Sequence, residues 1–156
     1  MSVQSRLVVQ IHDDIDSEYL SLVGPLQGRC FGSEVVQYFP ASTGYVAMDG
    51  DEPVALAVFT SDPVPYLPDR PRRSAYLYNV CTDPRYRGQR IQERLLRFAF
   101  SDLRTRTRAP LDVYLLVLVN NSSAIRLYQR MGFTRLARLT ENVPGNEPAD
   151  LMHLRV

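Results

Sequence analysis

The run Val80-Cys81-Thr82-Asp83-Pro84-Arg85-Tyr86-Arg87-Gly88-Gln89-Arg90-Ile91 has the residue types of an anion site. It joins an apolar strand pattern to an amphipathic helix pattern through a turn rich in Arg and Gly. The first backbone N–H groups of a helix have no intrahelical partner, and the helix dipole favours negative charge beside them. Gly88 carries no Cβ, so the backbone there can come close to a bound group. The chemistry indicated is the binding of a phosphate or pyrophosphate by N–H groups from Arg85 through Ile91. The competing reading is an ordinary turn in which Arg85 and Arg87 are solvated surface charges.

Other reactive residue types are sparse. As a nucleophile, Cys81 would need a nearby base, but no His is close in sequence and the surrounding strand is apolar. A buried structural Cys is the favoured reading. Cys30 and Cys81 are far apart and suggest neither a disulfide framework nor zinc spacing. His12 and His153 lie near opposite chain ends and could not make a metal site without acidic partners, so none is expected.

The elements that must position the anion site follow from periodicity. Leu7 to Ile11 reads as a first strand. Asp16 or Ser17 can cap a helix running to about Leu26, with Tyr19, Leu20 and Val23 on one face, before Gly24, Pro25, Gly28 and Gly32 break the chain. Tyr45 to Met48, the turn Asp49-Gly50-Asp51, and Val54 to Thr60 read as a hairpin. Ser61 to Ser74 is a proline-rich connection, and Ala75 to Thr82 is the next strand. From Gly88 to Arg104, Ile91, Leu95, Leu96, Phe98, Ala99, Phe100 and Leu103 share the apolar side of a helix. Asp102 falls on that side too, without an evident reason. Leu111 to Val119 is almost wholly apolar and reads as a central strand buried on both faces. Asn121 can cap a short helix bearing Ala124, Leu127, Tyr128 and Met131, with Gly132 at its end. Phe133 to Thr140 and Leu151 to Val156 read as two last strands that pair across a turn at Pro144-Gly145.

The chain has 156 residues, enough for one α/β domain over residues 1–156 and too few for two. Its 18 basic residues are all Arg, and the net charge is +1, which does not suggest a general nucleic-acid binder. The Arg face of the helix Gly88–Arg104 is interrupted by Glu93, which also argues against nucleic acid. No apolar run approaches a membrane span and Met1 to Gln10 lacks a signal-peptide core, so a cytoplasmic location without membrane contact is the expectation.

Two motifs in order resemble the GCN5-related N-acetyltransferase (GNAT) superfamily. Arg85-Tyr86-Arg87-Gly88-Gln89-Arg90 resembles the family's Arg/Gln-x-x-Gly-x-Gly/Ala acetyl-CoA loop. Asn121-Ser122-Ser123-Ala124-Ile125-Arg126-Leu127-Tyr128, followed by Met131-Gly132-Phe133, resembles its Asn-x-x-Ala-x-x-Leu-Tyr and Gly-Phe. The resemblance implies a mixed, mostly antiparallel sheet of about six to seven strands with helices on both faces. The strands Ala75–Thr82 and Leu111–Val119 would lie parallel and splay apart to admit the pantetheine arm. Acetyl-CoA would be the cosubstrate, held by Val80, Cys81, Thr82, Arg85, Tyr86, Arg87, Gly88, Gln89, Arg90, Ile91, Asn121 and Ala124, with no metal. The backbone near Val80 and Cys81 would face the thioester oxygen.

The implied reaction is direct attack by a primary amine, on a small molecule or a peptide, on the thioester carbonyl. Tyr128 stands at the family's general-acid position; the alternative is a core tyrosine. The base is open, because Ser74 to Thr82 holds no acid. Glu34, Asp51, Glu52 and a water relay through Tyr78 or Asn79 all stand as candidates. The acceptor would be bordered by Arg29 to Tyr38 and by Ser61 to Arg73, which carries Tyr66, Arg70, Arg72 and Arg73. Arg90 departs from the pattern, since the family keeps Gly or Ala there. A CoA-binding domain without catalysis is the alternative function, and the resemblance allows a homodimer.

Overall fold

The computed structural model describes residues 6–65, 67, 70, 71, 73–141 and 143–156. Tyr66 and Arg72 of the expected acceptor border lie outside them. Seven strands form one sheet in the order β1-β2-β3-β4-β5-β7-β6. They are β1 (Val8–His12), β2 (Ser42–Asp49), β3 (Glu52–Thr60), β4 (Ser74–Thr82), β5 (Asp112–Leu118), β6 (Thr134–Leu139) and β7 (Ala149–Arg155). Among the described residues, only β4 and β5 pair parallel, and every other neighbour is antiparallel. The helices are α1 (Ser17–Phe31), α2 (Ile91–Thr107) and α3 (Ser122–Arg130). The expected mixed sheet is thus present, with seven strands.

One core lies on each face of the sheet. Tyr45, Ala47, Ala57, Leu77 and Val113 pack with Ile91, Leu95 and Ala99 of α2. Val46, Leu56 and Val58 pack with Tyr19, Val23 and Leu26 of α1. Burying such side chains stabilises by about 1.5–3 kcal/mol each, and this fixes the strand faces. Asp102, anomalous in sequence, accepts a hydrogen bond from Tyr45 Oη at 2.6 Å and pairs with Arg106 at 2.8 Å. A buried phenol thus explains a carboxylate on an apolar stripe.

Four sequence expectations need correction. Helix α1 continues through Pro25 to Phe31, because Pro25 is on the solvent side, where the carbonyl it leaves unpaired can meet water. Helix α2 begins at Ile91, and Arg90 caps it in the left-handed region at φ 57°. Strand β5 is buried on one face only: Val113, Leu115 and Val117 are inside, while Tyr114, Leu116 and Leu118 are half-exposed. Helix α1 packs on β3 and β4 and leaves that face of β5 uncovered.

The fourth concerns the cysteines. Cys30 and Cys81 form a disulfide. Two features hidden in the sequence bring them together. Extension of α1 puts Cys30 one turn past Leu26 on the buried stripe Tyr19, Val23, Leu26. A β-bulge then makes Tyr78 an extra residue, since Val58 pairs with Asn79 and Phe59 with Leu77. The bulge reverses the alternation of β4, so Cys81 faces α1 although Ala75 and Leu77 face α2.

Candidate active site

The parallel pairing of β4 and β5 covers only Ser74–Leu77 against Asp112–Leu115. Beyond Leu77, β4 stays paired to β3 as far as Thr82, so its other edge is left without a strand partner. Bulges bend strands, and the one at Tyr78 sits where β4 leaves β5. The result is a cleft between the two central strands, closed at one end by α3.

Two cavities open from this cleft. The larger, about 660 Å³, is walled by Val80, Cys81, Thr82, the loop before α2 and the first turns of α2 and α3. The smaller, about 550 Å³, lies between the chain after α1 and the diverging ends of β4 and β5. Phe31, Val80, Asn121, Ala124 and Tyr128 line both.

The loop before α2 is built on one buried carboxylate. Asp83 has no exposed surface, and its own N–H donates to Val54 O at 2.8 Å. Asp83 Oδ2 accepts from Arg29 Nε at 2.7 Å and Arg85 Nη2 at 2.8 Å. Asp83 Oδ1 accepts from the Arg85 backbone N–H at 2.9 Å. The Arg85 hydrogen bonds, joined by those of Arg29, hold the Asp83 carboxyl well below the usual carboxylate range despite its burial. Arg85 also pairs with Glu52, and Tyr86 Oη donates to Asp49 at 2.8 Å.

This network sorts the expected anion ligands. The Arg85 guanidinium is taken up by carboxylates and lines neither cavity. The N–H groups of Arg85, Tyr86 and Arg87 close on Asp83 Oδ1, Asp83 O and Pro84 O. The run available to an anion therefore starts at Gly88, three residues later than the sequence indicates. Gly88 has φ 79°, and a Cβ built on it meets no protein atom within 4 Å. It borders open space in a conformation that favours glycine. Tyr86, Arg87, Gly88, Arg90 and Ile91 line the larger cavity, as do Val80, Cys81, Thr82, Asn121 and Ala124; Gln89 does not.

Sequence reasoning missed Gln92. Its Oε1 accepts from Thr82 Oγ1 at 2.9 Å, and its Nε2 is buried without a hydrogen-bond partner among the described residues. An unpaired buried donor costs about 1–3 kcal/mol, so this one, on the wall of the larger cavity, calls for an acceptor. Its position in the first turn after the loop was the available signal. Ser123, Arg126 and Arg130 of α3 also line the cavity; Arg130 pairs with Glu93 at 2.7 Å. A cradle open at Gly88, a first helical turn, an orphaned amide donor and several guanidinium groups together suit a polyphosphate.

Asn121 Oδ1 accepts from Ala124 N–H at 3.2 Å and caps α3. That helix presents Tyr128, whose ring meets Phe133 edge-on at 5.6 Å. Burial pushes the Tyr128 hydroxyl up to about 12, so it stays protonated at neutral pH.

On the acceptor side, Phe31, Glu34, Val35, Val36, Gln37 and Phe39 form one wall, as expected for the chain after α1. The described residues of 61–73 line neither cavity, because that loop joins β3 and β4 at their far ends. Arg70 instead bonds Ser74 Oγ and the Thr60 and Asp62 carbonyls. Of the three candidate carboxylates, Glu34 alone is on a cavity wall. Asn79 is buried and donates to Tyr38 Oη at 3.5 Å, while Tyr78 Oη accepts from Phe39 N–H at 3.2 Å. Among the described residues, no group of three or more His, Cys, Asp or Glu could hold a metal.

A seven-stranded mixed sheet whose parallel pair, β4 and β5, splays beside the loop at Gly88 makes this an α/β fold with an open cleft between its central strands. Residues 9–133 match the family model described as the acetyltransferase (GNAT) family, and the chain belongs to that family. Solved structures agree on the fold. The ribosomal-protein-S18-alanine N-acetyltransferase from Escherichia coli is 20% identical over 96% of this chain and 94% of its own, with a TM-score of 0.73. The spermidine/spermine N-acetyltransferase SpeG from Vibrio cholerae is 18% identical over 99% and 95%, at 0.71. Ard1 from Thermoplasma volcanium is 20% identical over 95% and 97%, at 0.69. No curated protein sequence is a significant match to the chain. No helix among the described residues is long and apolar enough to cross a membrane.

Proposed function

We propose that this protein transfers the acetyl group of acetyl-CoA to a primary amine, on a small molecule or a peptide, by direct attack on the thioester. The observation that carries this reading is the junction at Phe31, Val80, Asn121, Ala124 and Tyr128, where the cavity beside Gly88 meets a second, separately walled one. Binding the pyrophosphate at Gly88–Ile91 directs the pantetheine arm along the free edge of β4 to that junction. An amine in the smaller cavity then reaches the same point.

Groups at and beside the junction divide the chemistry. Backbone N–H groups near Val80 and Cys81, on the edge that β5 leaves unpaired, stabilise the developing oxyanion. Tyr128 faces the leaving sulfur. With its hydroxyl at about 12 and a thiol near 8.5, full proton transfer is uphill by about 5 kcal/mol. Tyr128 therefore acts by donating a hydrogen bond, and the proton lost by the attacking amine neutralises the thiolate. Glu34 is the carboxylate placed to receive an ammonium proton. An α-amine, near 8, asks less of a base than a lysine amine near 10.4.

Thiol release from acetyl-CoA, followed across α-amino peptides, lysine peptides, polyamines and aminoglycosides, tests the proposal. Turnover on at least one class is expected. Tight acetyl-CoA binding with no turnover on any of them would establish a CoA-binding domain instead.

A further inference from the structure

Both cysteines of the Cys30–Cys81 disulfide line the larger cavity. Cys81 is 5% exposed, whereas Cys30 is only half-buried, so Cys30 is the sulfur that a small molecule can reach. The bond joins the last turn of α1 to the end of β4. A second link there is the Arg29–Asp83 ion pair at 2.7 Å. Immediately after this anchor, residues 34–39 have no regular structure, yet they supply most of one wall of the acceptor-side cavity.

We propose that Cys30 Sγ is a thiol-exchange site and that the disulfide is a clamp opened by low-molecular-weight thiols entering the cavity. A thiolate of a dithiol attacks Cys30 Sγ and forms a mixed disulfide. The Cys30–Cys81 bond breaks, and its electron pair leaves on Cys81 Sγ, which takes up a proton. The second thiol of the dithiol displaces Cys30, so the dithiol is oxidised to a cyclic disulfide and the protein is reduced to two thiols. Opening leaves the end of α1 held by the ion pairs of Arg29 to Asp83 and Glu52, by its bond to Pro53 O, and by the packing of Leu26 and Phe31. The wall at residues 34–39 then loses its covalent anchor and the cleft edge at Val80–Thr82 loses its brace.

The effect on cosubstrate rests on the function proposed above, but the clamp itself does not. The test compares the oxidised protein with the same protein after dithiothreitol. Hydrogen exchange of residues 30–41 reports the clamp, and calorimetry with acetyl-CoA reports its consequence. Reduction is expected to speed exchange in 30–41 by about tenfold or more, and to raise the acetyl-CoA Kd by about threefold or more. Cys30→Ser should match the reduced protein and ignore the reductant. The wild-type comparison stands even if that variant folds poorly. Two free thiols in the unreduced protein, or unchanged exchange on reduction, would overturn the proposal. A change in exchange with no acetyl-CoA binding in either state would uphold the clamp and defeat the acetyltransferase reading.

Discussion

Replacing Tyr128 by Phe removes one oxygen from the junction of the two cavities and little else. The ring keeps its edge-on contact with Phe133 and its place in the core. No described residue hydrogen-bonds the hydroxyl, so its loss leaves no partner unsatisfied. Stability should stay within about 0.5 kcal/mol of wild type. The rate should not. A hydrogen bond formed only as the thiolate leaves is a transition-state interaction, and losing it should lower kcat by about a hundredfold, or about 2.7 kcal/mol. KM for acetyl-CoA should change little, because the proposed phosphate cradle at Gly88–Ile91 is untouched. The pH dependence follows from the same burial. The Tyr128 hydroxyl is raised to about 12 from its ordinary 10, so its neutral form is favoured in the fold. That stability is complete below about pH 10 and is lost as the pH rises through about 12. Tyr128 therefore adds no limb to the rate profile between about pH 6 and 9, where the variant's profile should run parallel to wild type and far below it. Initial rates of thiol release, with thermal melts as the folding control, measure this. A variant that melts normally and keeps more than about a third of wild-type kcat would make Tyr128 a core residue and refute its hydrogen bond to the leaving thiolate.

Three further substitutions probe the cradle. Arg90→Gly removes a left-handed non-glycine residue and should stabilise the fold by about 1 kcal/mol, while losing a guanidinium from the cavity wall should weaken acetyl-CoA binding about threefold to tenfold; unchanged affinity in calorimetry takes Arg90 out of the site. Gln92→Ala removes the orphaned donor and should weaken acetyl-CoA binding by about tenfold with no loss in Tm, whereas a large loss of Tm at constant affinity would mark it as structural. Asp83→Asn should destabilise by about 2–4 kcal/mol at pH 7, read by denaturant unfolding. Because the Asp83 carboxyl is held below its ordinary value, its contribution is present above about pH 4 and fades as the pH falls, so the gap to wild type should narrow toward pH 3; a constant gap would assign the loss to packing.

Legibility in the sequence followed the range of the interaction. The strands, the caps at Asp16 and Asn121, and the strand–turn–helix unit around Gly88 rest on neighbours in sequence, and the structure places them within a few residues of expectation. What could not be read depends on contacts across the sheet. The splay of β4 and β5 was implied by family resemblance; no residue pattern marks Leu77 as the last paired position. The bulge at Tyr78 is invisible in a run of apolar residues, yet it decides which way Cys81 points. Arg85 is a further case. The sequence offers its backbone N–H to an anion, but that N–H closes on Asp83 Oδ1, and its guanidinium pairs with Asp83 and with Glu52 on another strand.

These long-range effects change what the cradle is. In sequence it is a string of Arg and Gly aimed at an anion. In the fold it has two parts with opposite tasks. Asp83, Arg29, Arg85 and Glu52 neutralise one another and fix the loop's path, with the carboxylate fully buried and the guanidinium groups at the rim. Gly88, Arg90, Ile91 and Gln92 then line the cavity, with an amide donor at Gln92 Nε2. Fixing the path explains how a residue as large as Arg90 can occupy a position that the family fills with a small one. A small residue there meets two demands, a positive φ and close approach of a phosphate. The anchored loop imposes φ 57° on Arg90 regardless of its Cβ, at a cost of about 1 kcal/mol. The side chain, exposed at the cavity wall, then adds charge to the site instead of filling it. If so, the penalty at Arg90 should depend on Asp83. In the Asp83→Asn background the loop can relax, and Arg90→Gly should then yield less than half the stabilisation it gives in wild type, a coupling a double-mutant cycle measures directly.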